Sequence, residues 1–157
     1  MMQGIVVLLA GAVISLMSMV NAPPVHCTVR GVLPDPKCTP GAVLPNVKQA
    51  DIKTTVCKPG WTSTIRPPQS YTENLKRKQM KQYGYTDSLA QHEEDHLIPL
   101  ELAGSPTDPR NLWPEPDASP NPKDQVENEL KRRVCAGQIS LYQAQRRIAK
   151  DWTSALQ

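Results

Sequence analysis

Phenylalanine is absent from the 157-residue chain, and three tryptophans and four tyrosines are its whole aromatic complement. That shortage excludes a core built on large aromatic rings. Sixteen prolines argue in the same direction, toward a loop-rich fold with a modest core. The cysteines lack metal-site spacing: Cys27, Cys38, Cys57 and Cys135 contain no Cys-x-x-Cys pair, which argues against structural zinc. An even count in a small chain points instead to two disulfides, each worth about 2 to 4 kcal/mol. Three pairings are possible. Cys27 with Cys38 and Cys57 with Cys135 is favoured, because the first closes a local proline-rich loop and the second ties the amino-terminal half to the carboxy-terminal helices. Strong net charge is missing too. A formal charge of +3 permits a polyanionic partner without arguing for one.

No Lys or Arg stands in Met1 to Gly4, yet Ile5 to Val20 is an apolar run broken only by Gly11, Ser15 and Ser18. With the small residues that end at Asn21-Ala22, residues 1–22 read as a secretory signal peptide, which implies a secreted or periplasmic protein. The run is short of the roughly 20 residues that span a bilayer, and an uncleaved membrane anchor is the alternative, the one case that involves a membrane. Residues 23–69 follow as an irregular region rich in proline and cysteine, with turn signals such as Leu33-Pro34-Asp35-Pro36.

Residues 70–157 carry the periodic patterns. Ser70-x-x-Glu73 has the form of a capping box and predicts a helix from Ser70 to about Tyr83, closed by Gly84. Its basic rim, Lys76, Arg77, Lys78 and Lys81, is either a phosphate-binding surface or an ordinary solvated face. Leu97 to Leu102 and Leu112 to Trp113 are short apolar stretches around a segment dense in turn formers, which predicts a hairpin. Asn121-Pro122 predicts a helix start, with Val126, Leu130 and Val134 on one face and a stop at Ala136-Gly137. Ser140-x-x-Gln143 opens a last helix that carries Leu141, Ala144, Ile148 and Trp152 on one side. The last two helices are expected to pack as an antiparallel pair.

The most informative residues are Asp95-His96, followed fifteen positions after the histidine by Asn111-Leu112-Trp113-Pro114. An acidic residue beside a histidine offers a metal ligand and a general base at adjacent positions, the pair that metal-activated phosphodiester hydrolysis needs. The strings Asp95-His96-Leu97-Ile98-Pro99-Leu100-Glu101-Leu102, Asn111-Leu112-Trp113-Pro114-Glu115-Pro116 and Lys123-Asp124-x-Val126-Glu127-Asn128 resemble the HNH endonucleases, and within them exported or phage-encoded bacterial members. The resemblance implies an α+β fold with a ββα-metal core, to which the disulfide-pinned region and further helices are added.

By the same resemblance His96 is the general base, Asp95 the first metal ligand and Asn111 the residue that braces the loop and orients the histidine. The implied cofactor is one divalent ion, Mg²⁺ first, with Mn²⁺ or Zn²⁺ as alternatives. The implied substrate is nucleic acid, DNA in the first place, and no stable protein partner is implied. No histidine follows His96, so the third family position falls on Asn121. Asn121 before Pro122 is equally well read as a helix cap, in which case Asp124 or Glu127 completes the site. Arg110, Lys123, Lys76 and Arg77 are the expected phosphate contacts. Gly104 retains the second glycine of the family turn, and Ala103 replaces the first. His92 reads as a surface histidine, Trp113 and Trp152 as core. A non-catalytic binding module on a decayed site is the alternative function.

Overall fold

The computed structural model describes residues 26–116 and 120–157. The signal peptide or anchor expected over residues 1–22 lies outside them. Among the described residues the protein is α+β, with two antiparallel strands, four α-helices and two disulfides. No helix among them is long and apolar enough to cross a membrane.

A short helix, α1 (Trp61–Ile65), interrupts the region expected to be wholly irregular. Pro67 and Pro68 hold the next residues extended, so α2 (Gln69–Gln82) begins at the first residue after the prolines, one position before Ser70. The Ser70 capping box does not form. Glu73 instead accepts from the Gln69 side chain at 2.8 Å, an i,i+4 bond. At the other end Gly84 takes the left-handed conformation (φ 70), and the Gly84 and Tyr85 N–H groups donate back to Lys81 and Met80.

The hairpin contains a correction. Its strands are β1 (His92–His96) and β2 (Leu112–Pro116), with Asp95 opposite Trp113 and His96 opposite Leu112. The apolar stretch Leu97 to Leu102 is not the first strand. Pro99 has no N–H for a ladder, and Leu100–Leu102 winds into a 3-10 turn that sinks Leu100 and Leu102 into the core. β1 itself is polar because it borders a cleft. Residues 41–44 run beside the turn that follows, where Leu44 N–H donates to the Ala103 carbonyl and Ser105 N–H to that of Ala42, both close to 3 Å (2.9 and 2.8 Å).

Helix α3 (Pro122–Cys135) starts at the expected Asn121 cap, to which Asp124 adds a capping box, and α4 (Leu141–Asp151) starts at Ser140 with the expected capping box. Leu130, Val134, Leu141, Ala144, Ile148 and Trp152 form one core with Val56, Leu102 and Ala103. Burying a side chain such as Leu130 or Ile148 contributes about 1.5 to 3 kcal/mol. Trp113, fully buried, packs with Tyr83 in a second cluster beside the first disulfide. The disulfides are Cys27–Cys38 and Cys57–Cys135, the favoured pairing. The second closes a separation of 78 residues and joins the approach to α1 to the end of α3. In the chain-entropy account a loop of that order stabilises by about 4 to 5 kcal/mol.

Candidate functional site

His96 ends β1 with its ring against a backbone carbonyl: Nε2 lies 3.1 Å from the Pro106 oxygen. A carbonyl only accepts, so Nε2 carries the proton and Nδ1 keeps a lone pair. Burial lowers the pKa of His96, and the positive charges of Lys123 and Arg66 lower it further against the Pro106 bond and Asp95. The imidazole is therefore neutral at pH 7, as a proton acceptor must be.

Asn111 holds the loop that supplies that carbonyl. Its Oδ1 accepts from the Ile98 N–H at 3.0 Å and the Ala42 N–H at 3.3 Å, and its Nδ2 donates to the Ile98 and Ser105 carbonyls at 2.9 and 3.0 Å. All four of its hydrogen-bonding positions are filled in a fully buried setting. Gly104 packs so tightly under this loop that a methyl there would stand 2.6 Å from the Ile98 carbonyl carbon and 2.9 Å from Asn111 Nδ2.

His96 and Asp95 line a cleft of about 910 Å³ between β1, the α1–α2 junction and the start of α3. Its acidic side includes Glu93, Glu94, Asp95, Glu101, Asp124 and Glu127, and Arg66, Lys76, Thr62, Gln69 and Thr72 face them. Asp95 pairs with Lys123, whose Nζ sits 2.8 Å from Asp95 Oδ2, donates to the His96 carbonyl at 3.0 Å and also holds Glu127.

Several expected residues are placed otherwise. Lys123 does not reach a phosphate: it is 1% exposed, its ammonium turned inward among carboxylates. Burial acts to lower its pKa, but Asp95, Glu127 and Glu115 together raise it. Asn121 is the helix cap, its Oδ1 accepting from the Lys123 N–H at 2.9 Å, and it does not line the cleft. Asp124 completes the capping box by accepting from the Asn121 N–H at 3.0 Å, and still borders the cleft. Arg110 is clamped to Asp108, at 2.6 Å through Nη2, and does not line the cleft. Nor does Arg77, whose guanidinium leans on Asn74 at 3.4 Å. Lys76 does line it, with Nζ donating to the Leu89 and His92 carbonyls at 3.0 Å each. His92 is buried rather than superficial, bonded to Asp87 and to the Pro114 carbonyl under the Tyr85 ring. Sequence reasoning missed Arg66, which caps α1 and belongs to no motif. It also missed Glu115, buried on β2 beside the Asn121 amide.

No protein-family model, no curated protein and no solved structure matches the chain.

The donors at the cleft are carboxyl oxygens, which once deprotonated are the kind a hard divalent ion takes. Both carboxyl oxygens of Glu94 are buried with no hydrogen-bond partner among the described residues. Burial pushes Glu94 up to about 8, with Lys76 opposing and Asp95 adding. Burial likewise pushes Glu127 up to about 8, opposed by Lys123, and Glu115 up to about 9, with Asp95 adding. Carboxyl groups thus outnumber the cations packed against them, and that surplus fits a divalent ion in kind. No closed set of three ligands is gathered among the described residues, and Lys123 stands between Asp95 and Glu127.

These carboxyls make stability depend on pH. A carboxyl with a raised folded-state pKa keeps its proton in the native state after the unfolded chain has released it. Stability therefore falls as pH rises toward the folded value. His96, with its lowered pKa, acts only below 6.5. Without metal, stability is expected to fall between pH 6.5 and about 9, by at most about 1.4 kcal/mol per pH unit for each proton involved, and the melting temperature falls with it. A flat or rising melting curve over that range would contradict the buried carboxyl cluster.

Proposed function

We propose that the protein is an exported, divalent-metal-dependent endonuclease of low sequence specificity. DNA is its substrate, and β1, β2 and α3 serve as a ββα core of the HNH kind. The observation that carries this reading is the His96 ring, neutral and fixed in one tautomer by Pro106, at the wall of a cleft crowded with carboxyl groups. The two disulfides accord with export to an oxidising compartment.

In this mechanism His96 Nδ1 removes a proton from a water in the cleft, the water oxygen bonds to phosphorus, and the bond from phosphorus to the 3′ oxygen breaks. The leaving oxygen is protonated from solvent. Asp95 and Glu127, with Glu94 beside them, would hold the ion. When bound, a hard divalent ion supplies positive charge against the charge that develops on the phosphoryl and leaving oxygens. Arg66, whose guanidinium makes no hydrogen bond to the described residues, and Lys76 neutralise backbone phosphates on the opposite wall. Asn111 positions His96 through the Ser105–Pro106 segment and touches no substrate.

Supercoiled plasmid incubated with the oxidised protein is expected to be nicked with Mg²⁺ or Mn²⁺ and left intact with EDTA. Cutting that ignores EDTA would remove the metal from the mechanism, and no cutting with any ion would remove the nuclease. Binding of a DNA duplex, followed by anisotropy in EDTA, is expected to weaken with salt. Arg66→Ala should lower the slope of that dependence by about one counterion. An unchanged slope would take Arg66 off the DNA path. A second reading, a binding module without catalysis, is favoured by the capping of Asn121 and the ammonium beside Asp95. It predicts DNA binding without cleavage.

A further inference from the structure

Lys123 is the second residue of α3, and its side chain lies wholly inside the protein. Its ammonium meets three oxygen groups from two elements: the Asp95 carboxyl group and the His96 carbonyl on β1, and the Glu127 carboxyl group one turn further along α3. A buried ammonium is retained only where such partners compensate its lost hydration. The same three groups clasp strand to helix in the place where the proposed site would hold its ion.

We propose that Lys123 is a tethered cation occupying the divalent-ion position between Asp95 and Glu127. The fold then holds without metal, and an ion enters the site by exchange with the ammonium. This rests on the metal-dependent reading of the cleft. Two consequences distinguish a tethered cation from an ordinary internal ion pair. Removing the ammonium leaves the Asp95 and Glu127 carboxyl groups facing one another without the partner they share, which destabilises the metal-free protein. It also opens a site of matching charge, so a divalent ion should bind more tightly and restore what was lost.

The test counts bound Mn²⁺ by the resonance signal of the free ion, and follows thermal unfolding with EDTA or Mn²⁺. It compares the wild-type chain, Lys123→Met, Lys123→Gln and the double variant Lys123→Met/Glu127→Gln. Both single variants are expected to melt below wild type in EDTA, to bind Mn²⁺ at least about tenfold more tightly, and to gain more in melting temperature from the ion. The double variant, which loses a carboxylate along with the cation, should lose that extra affinity. Equal or weaker Mn²⁺ binding in the single variants overturns the proposal, and so does failure of both to fold in the presence of Mn²⁺. Tighter binding without cleavage by wild type would end the nuclease reading and leave the exchange standing. Metal-dependent cleavage by wild type with no gain in the variants would do the reverse.

Discussion

Replacing His96 by alanine is expected to slow plasmid cleavage by about 10²- to 10⁴-fold at pH 7, the usual contribution of a positioned general base. DNA affinity in EDTA should barely change, because Arg66 and Lys76, which contact the phosphates in this reading, remain in place. The wild-type pH profile provides a second signature. Burial and two neighbouring cations depress the pKa of the imidazole, so the base stays deprotonated through neutrality, and its loss should appear only on the acid side of 6.5. A His96→Ala protein that cuts within about tenfold of wild type would end the assignment. A wild-type rate that collapses already above pH 7 on the acid limb would equally exclude His96 as the base.

Gly104→Ala is expected to cost about 4 kcal/mol or more, a large part of the 5 to 15 kcal/mol that typically separates folded from unfolded domains. The requirement at this position is space. The added methyl would overlap the Ile98 carbonyl oxygen outright and press on the Asn111 amide, and both are backbone or fully bonded groups with nowhere to move. Ala103 next to it supplies the contrast, since it already sits in the left-handed region at φ 58. Ala103→Gly relieves that strain but removes a methyl buried in the main core, and the two effects, each of the order of 1 kcal/mol, nearly cancel. Urea unfolding of the two variants measures both. A Gly104→Ala protein within about 1 kcal/mol of wild type would show that the loop shifts freely, and that His96 is less firmly held than its bonds imply.

Local chemistry was legible wherever one residue settles the outcome. Ser140 and Asn121 declare helix starts through their own side chains, and Gly84 and Gly137 declare helix ends. The first strand was not legible. Leu97 to Leu102 carries the apolar signal because it is buried in the core, whereas His92–His96 makes the ladder while bordering a cleft, so its composition is polar. Ser70 failed as a cap because two prolines before Gln69 fix where helical dihedrals begin. Lys123 reads on paper as a phosphate contact at a helix start. Only the placement of Asp95 across from α3 reveals that its charge is consumed internally, and that is a long-range fact. Arg66 illustrates the same limit, since it enters the cleft through the path of the chain around α1 and α2 rather than through any pattern of its neighbours.

The bridge between Cys57 and Cys135 bears on timing as well as on stability. Cys57 stands just before α1, which delivers Thr62 and, at its C-cap, Arg66 to one wall of the cleft, while Cys135 closes the helix that carries Glu127 to the other. A chain whose thiols are still reduced therefore lacks the covalent tie between its two walls, which only core packing then holds together. On the nuclease reading, such a chain would be latent inside a reducing compartment and armed by oxidation, which spares the genome of the cell that makes it. Plasmid nicking that is as fast with the bridge reduced as with it intact would show that no such latency exists.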